Sequence, residues 1–173
     1  MAEDAERSGR PGAGSASRQG RDESAEERAD RMWVELLQEL RVAQTGVQIL
    51  FGALLIAVFQ PVFTDLGGTD RAIYVAAVAL GAATVGTLIG PVALHRMVAG
   101  RHIKPQTVVL ASRMAKIGVI MLAATLALTL LLLLRVALDD TLALWLTTAV
   151  TAWLVSLWLL LPIWARRHYT SRP

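Results

Sequence analysis

Residues 126–134 read LALTLLLLL, nine residues without a charge. A second run, TAWLVSLWLLL over 151–161, has the same character. About 20 helical residues match the roughly 30 Å hydrocarbon core of a bilayer, so such stretches predict helices that span a membrane. We therefore predict an all-α integral membrane four-helix bundle with a disordered N-terminal tail. The four predicted spans cover 42–60, 72–94, 114–134 and 142–164.

The overall composition agrees with a membrane protein. The chain has 173 residues, 54% of them hydrophobic, and its mean hydropathy of +0.49 is too apolar for an ordinary soluble domain. It has no cysteine, which excludes disulfides, thiol nucleophiles and cysteine-ligated metals. The sequence pI is about 9.9, but the basic residues stand beside the apolar spans, so we expect no nucleic-acid partner. Fifteen arginines against two lysines are typical of a GC-rich bacterial genome.

Residues 1–30 are rich in Gly, Ser and charge and show no apolar period, which predicts a disordered cytoplasmic tail. No apolar segment follows Met1, so no secretory signal peptide is expected. A Ser-x-x-Glu capping box at 24–27 predicts a helix start near its serine. The four-span membrane domain is predicted over 31–168, and residues 169–173 are predicted to form a short cytoplasmic tail.

An amphipathic helix is predicted directly before the first span. In RMWVELLQELR, residues 31–41, one helix face carries Trp33, Leu36, Leu37 and Leu40. This helix could lie in the membrane interface or extend the first span into the cytoplasm, and the sequence leaves both open.

The distribution of Lys and Arg predicts the orientation. Fifteen of the 17 lie on the membrane side that holds both termini, and two, Arg71 and Arg135, lie on the other side. The positive-inside rule then predicts a multi-pass protein of the bacterial plasma membrane with both termini in the cytoplasm.

The first span begins with a polar face. At 100° per residue, its members fall within an arc of about 100° on one side of a helix. They are Arg41, Gln44, Thr45, Gln48 and Gly52. This face could line a cavity or contact a partner helix, or its side chains could hydrogen-bond to neighbouring helices of the same bundle. The second interpretation is the simpler one.

A ridge of small residues follows in the second span. Ala82, Gly86 and Gly90 recur every four residues, a small-xxx-small pattern that allows helices to approach closely. Packing within the chain and homodimerisation are both compatible with it.

Basic residues flank the second and fourth spans, where we expect them to contact anionic lipid headgroups. They are His95, Arg96, Arg101, His102, Lys104, Arg166 and Arg167. Two histidines can indicate a metal site, but no Asp, Glu or Cys stands near them in the sequence, so no metal is predicted.

Catalysis needs a nucleophile with its base, a metal cluster or a carboxylate pair, and the spans contain none of these. We therefore expect a protein that is not an enzyme and has no cofactor. The second to fourth spans also lack the deep ionisable residue that proton-coupled transport needs.

Three motifs carry a resemblance to a known family. They are ELLQELRVAQTGVQILFGALL at 35–55, FQPVF at 59–63 and PVALHR at 91–96. Over residues 31–168 the chain resembles an uncharacterised family of small actinobacterial membrane proteins. The resemblance implies four transmembrane helices and no established activity, ligand or catalytic residue. Some members carry the automatic name sodium:proton antiporter.

Three functions remain. The first, which we expect, is a non-catalytic protein of the lipid bilayer that assembles with itself or a membrane partner through the polar face of the first span. The second is a small transporter or channel, sodium:proton antiporter-like, that uses the same face as its pathway. The third is an intramembrane enzyme.

Overall fold

The computed structural model describes residues 25–98 and 104–169, and every regular element in these ranges is a helix. The elements are α1 (Ala25–Ala57), a 3-10 turn (Pro61–Phe63), α2 (Gly68–Val98), α3 (Lys104–Ala137), α4 (Asp140–Val155), a π-helical turn (Ser156–Leu160) and α5 (Leu161–Tyr169).

Four helical segments are long and apolar enough to cross a membrane, which confirms the predicted number. They are Glu27–Ala57, Gly68–Val98, Thr107–Ala137 and Asp140–Ala165. All are longer than the 19–23 residues predicted from hydropathy, because the helices continue past the apolar stretch at one or both ends. Such helices fit contact with a lipid bilayer.

The N-terminal boundary differs from the prediction. The predicted end of the tail, residue 30, lies six residues inside α1, which begins at Ala25, one residue after the serine of the predicted capping box. Ala29 is only 4% exposed and packs near α3, so an apolar contact stabilises the helix ahead of the predicted boundary. Residues 1–24 lie outside the described residues.

The segment 31–41 is one continuous helix with the first span, which decides between the two alternatives for it. Its predicted apolar face is the face that α1 buries. Trp33 is 1% exposed and Leu40 is 3% exposed. The segment therefore forms part of the helical core and does not lie as a separate helix along the membrane surface.

Three apolar clusters hold α1, α2 and α3 together. We call the end with the start of α1 and α3 the terminal end, and the end where α1 connects to α2 the hairpin end. The terminal cluster centres on Trp33, the middle one joins Val47 to Leu88, and the hairpin cluster joins Leu54 to Tyr74. Each cluster takes residues from both α1 and α3, so α1 packs against α3 along most of its length.

The fourth long helix is placed differently from the other three. It packs mainly on α3, and only Ala143 and Thr147 of α4 are buried. Its membrane-spanning window is 6% buried, compared with 28% for α2. The predicted four-helix bundle is therefore a three-helix core with α4 on one flank, a difference that hydropathy does not show because the hydropathy of the fourth span lies between those of the first and the third.

A close approach between α2 and α3 occurs at Gly118. A Cβ atom built on Gly118 would lie 2.5 Å from Leu88 Cδ2 and 2.8 Å from Leu88 Cγ. Nearby, the buried hydroxyls of Thr84 and Thr125 are 3.3 Å apart, and both also lie within hydrogen-bonding distance of the carbonyl four residues earlier. Small and hydroxyl side chains of this kind are typical of tightly packed membrane helices.

Candidate functional site

The polar face of α1 divides into an inward part and an outward part. Gln44 is half-buried, and its Nε2 donates a hydrogen bond of 2.7 Å to the carbonyl of Leu88 on α2. This bond lies beside Pro91, a buried proline inside α2, which has no N–H to donate to the carbonyl four residues earlier. The carbonyl that Pro91 leaves without a backbone donor is that of Thr87, so Gln44 donates to the carbonyl next to the freed one.

The other four members of this face are not held by a neighbouring helix. Arg41 and Thr45 are exposed, and the Thr45 hydroxyl donates to the Arg41 carbonyl of its own helix at 3.0 Å. Gly52 is half-buried, and a Cβ built on it would meet no atom within 4 Å. Gln48 is exposed, and its amide has no hydrogen-bond partner among the described residues.

The small-residue ridge also divides. Gly90 faces α3, where an added Cβ would collide with Met114 Cε. Ala82 and Gly86 are exposed, and nothing lies within 4 Å of a Cβ built on Gly86. The reason is geometric, because a four-residue spacing advances about 40° around a helix at each step, so the ridge winds from the outer surface toward α3.

Two of the predicted basic residues lie near the end of α2. His95 is half-buried, and its ring centroid is 5.1 Å from that of Trp33, so it contacts α1. Arg96 is exposed. In α5, Arg167 is exposed.

The side chains of the remaining predicted basic residues are not described by the structure. Arg101 and His102 lie outside the described residues, as do the side chains of Lys104 and Arg166. Within the residues that are described, no group of three or more His, Cys, Asp or Glu side chains comes together as a metal ligand set.

An ion-pair cluster at the hairpin end was not predicted. Arg135 Nε lies 2.6 Å from Asp70 Oδ1, and Arg135 Nη1 lies 3.0 Å from Asp140 Oδ1. Arg135 thus ties the start of α2 to the end of α3 and the start of α4. The sequence does place these three charges at the ends of predicted spans. Sequence spacing does not show which span ends lie close together, so the ion pairs could not be predicted.

A lateral groove lies between α1 and the end of α4, with α3 as its floor. Its volume is about 430 Å³. Its apolar lining is formed chiefly by Val42, Gly46 and Leu50 of α1, Leu122 and Leu126 of α3, and Trp158 of the π-helical turn. Glu39 lines the same groove near its terminal end. Sequence reasoning missed this groove because it exists only where α4 packs on α3 without closing against α1.

The all-α fold, with four helices long and apolar enough to cross a membrane, defines a candidate multi-pass membrane protein. The chain belongs to a family of unknown function (DUF6328), whose model matches residues 22–162. Comparison with curated proteins and comparison with solved structures find no match.

Proposed function

We propose that this protein is a non-catalytic membrane protein that assembles with itself or with another membrane protein through the outward part of the α1 polar face. The supporting observation is Gln48, an exposed amide without a hydrogen-bond partner among the described residues. It stands seven residues after Arg41, about 10 Å further along the helix, and nine residues before the end of α1.

The energetic reason for assembly is the cost of an unpaired amide in hydrocarbon. Lipid offers no hydrogen bond to the Gln48 side chain, whereas a partner helix offers backbone carbonyls and polar side chains. Each interhelical hydrogen bond contributes about 0.6 kcal/mol, and up to about 1–2 kcal/mol in model peptides. Because an amide both donates and accepts, two copies of Gln48 are chemically complementary to each other.

Crosslinking tests this proposal directly. A photoreactive residue at Gly52, where added atoms meet open space, should give a discrete adduct in native membranes. An adduct of twice the chain mass identifies self-assembly, and another discrete mass identifies a partner protein. The adduct should fall about threefold or more in Gln48→Leu, as expected for the loss of one interhelical hydrogen bond. It should be unchanged in Gln44→Leu, because Gln44 bonds within the chain. The same residue placed at Gly46, on the groove side of α1, is the matched position control.

Absence of any adduct from position 52 would contradict assembly through this face. An adduct that Gln48→Leu leaves unchanged would contradict the role of the amide.

A second candidate function is a small transporter or channel, sodium:proton antiporter-like, with this face as its pathway. Two copies facing each other would align Thr45 and Gln48 of both chains into one polar strip, which supports this alternative. Proton and sodium gradients imposed separately on proteoliposomes test it. Flux above empty vesicles that disappears in the Gln44→Leu/Gln48→Leu variant favours a pathway, and absence of flux under both gradients opposes it.

The proposed location is the bacterial plasma membrane, with both termini in the cytoplasm. The support is the charge distribution, with 15 Lys and Arg on one predicted side and two on the other.

A further inference from the structure

The lateral groove continues toward the terminal end of the molecule. A second cavity of about 290 Å³ shares Glu39, Ala43 and Trp158 with it and adds Ser112 and Lys116 of α3. A third, of about 130 Å³, shares Glu39 with both and adds Glu35. Because they share lining residues, the three cavities form one groove that is apolar at mid-span and charged at its terminal end.

Two side chains of opposite charge stand at this charged end. Glu39 and Lys116 line the same cavity, both are exposed, and neither forms an ion pair with any described residue. In a chain that crosses a membrane, these residues lie level with Arg41, where the first apolar span begins, near the boundary between headgroups and hydrocarbon. An unpaired carboxylate and an unpaired ammonium there present a zwitterionic surface.

We propose that the lateral groove binds a membrane phospholipid with a primary-amine headgroup, one acyl chain lying against Gly46 and Trp158, the phosphate at Lys116 and the ammonium at Glu39. This inference is independent of the proposed assembly, because the groove and the exposed Gln48 lie on opposite flanks of α1. Gln48 follows Gln44, which contacts α2, whereas Gly46 faces the groove over α3.

The chemistry of the charged end selects among headgroups. A primary ammonium has N–H groups to donate to a carboxylate, whereas a choline headgroup has none. A phosphoglycerol headgroup offers its phosphate to Lys116 but no cation to Glu39, and Glu35 adds a second carboxylate at the same end. The ethanolamine headgroup satisfies both signs.

The apolar part of the groove suits a single acyl chain. Its volume of about 430 Å³ falls within the range of small-molecule sites, and its lining is almost entirely hydrocarbon apart from Glu39 at one end. Trp158 lies in the π-helical turn of the fourth span, an irregularity often found at functional sites. A residue of a helix distortion therefore lines the proposed site.

The test is lipid retention measured by native mass spectrometry. The full-length protein is purified in detergent and exposed to an equimolar mixture of phosphatidylethanolamine, phosphatidylcholine and phosphatidylglycerol with identical acyl chains. Wild type should retain the ethanolamine lipid about fivefold over each of the others, as expected for one favourable headgroup contact near the surface.

Variants separate the two parts of the site. Glu39→Gln should reduce the preference toward equal retention, because the carboxylate is the group that distinguishes the three headgroups. Lys116→Gln should lower retention of all three lipids, because each of them has a phosphate. Gly46→Leu should lower retention of all three lipids, because its side chain enters the groove without a clash in the fold. Gly86→Leu is the matched control, since Gly86 is equally open but lies on α2 away from the groove, and it should retain lipid as wild type does. Circular dichroism melting confirms that each variant is folded.

Equal retention of the three lipids by wild type would overturn the proposal, as would a preference that survives Glu39→Gln. Loss of a dimer peak in Gly46→Leu with lipid retention unchanged would also overturn it, because the groove would then hold a second copy of the chain. If a crosslink from position 52 shows assembly but the protein shows no lipid preference, the proposed function is supported and only the lipid-binding inference is contradicted.

Discussion

Gly118 meets a neighbour that cannot move aside. Leu88 is fully buried and its Cγ, not only its methyl, would lie within 3 Å of an added Cβ. We therefore expect Gly118→Ala to lower the free energy of unfolding by about 1–3 kcal/mol, the usual cost of overpacking a core. Reversible unfolding in SDS from mixed micelles measures it.

Gly86→Ala is the matched control, with the opposite expected sign. It adds the same methyl group to a helix in open space, so the better helix propensity of alanine should raise the free energy of unfolding by up to about 1 kcal/mol. If Gly118→Ala and Gly86→Ala were equally stable, the close packing of α2 on α3 would not limit the size of the side chain tolerated at position 118.

At this same scale, the two glutamines show what a sequence can and cannot predict. Helical spacing correctly predicts that Gln44 and Gln48 are about 40° apart, but the edge of the contact with α2 passes between them. The position of that edge depends on where α2 crosses α1. The periodicity of the α1 sequence gives no information about this crossing point. For the same reason the ridge at Gly86 and Gly90 was predicted as one surface and occupies two.

At the scale of the element, α1 owes its early start to Trp33. The side chain is 1% exposed, packs near Val108 and Ala111, and leaves its indole N–H without a partner among the described residues. Trp33→Ala should cost about 3–5 kcal/mol, as for other large aromatic residues in cores. SDS titration and the loss of helical signal measure the effect.

Two comparisons support that interpretation of Trp33. Trp33→Phe keeps most of the ring and removes the unpaired N–H, so it should cost far less than alanine. Trp145→Ala, at a side chain that is 71% exposed, should change stability little. A similar loss at both tryptophans would contradict a core role for the start of α1.

The hairpin ends of α2, α3 and α4 are joined through Arg135. The Asp70 side chain is 21% exposed and the Asp140 side chain is 68% exposed, so water screens the second ion pair more strongly. We expect Asp70→Asn to lower the melting temperature more than Asp140→Asn, with added salt reducing the smaller effect first. Melting curves at low and high salt provide the measurement. A larger drop in melting temperature from Asp140→Asn than from Asp70→Asn would contradict the expectation that the Asp70 ion pair contributes more.

At the scale of the whole molecule, the four spans were predictable because each requires only its own composition. The placement of α4 was not, since its hydropathy lies between those of α1 and α3, which are both core helices, and only packing distinguishes a core helix from a flanking one. The lateral groove follows from that placement, so it too was beyond sequence reasoning. Glu39 was visible in the sequence as a charge before the first span, but its place in the same groove as Lys116 was not.

The predicted orientation can be tested on the whole protein, because the chain has no cysteine. Single cysteines at Leu66, in the loop before α2, and at Ser8, in the N-terminal segment, provide a labelling pair. In intact cells a membrane-impermeant maleimide should label position 66 and spare position 8. The reverse pattern would place the termini outside, and labelling of both after lysis controls for access.

The flanking position of α4 has a consequence for synthesis. The last residue of the three core clusters is Leu132, and α4 begins at Asp140. Because a ribosome makes the chain from its N-terminus, every buried cluster residue has been made before the fourth span emerges. The nascent protein can thus complete its three-helix core first, and α4 then arrives as a late addition to a surface that already exists.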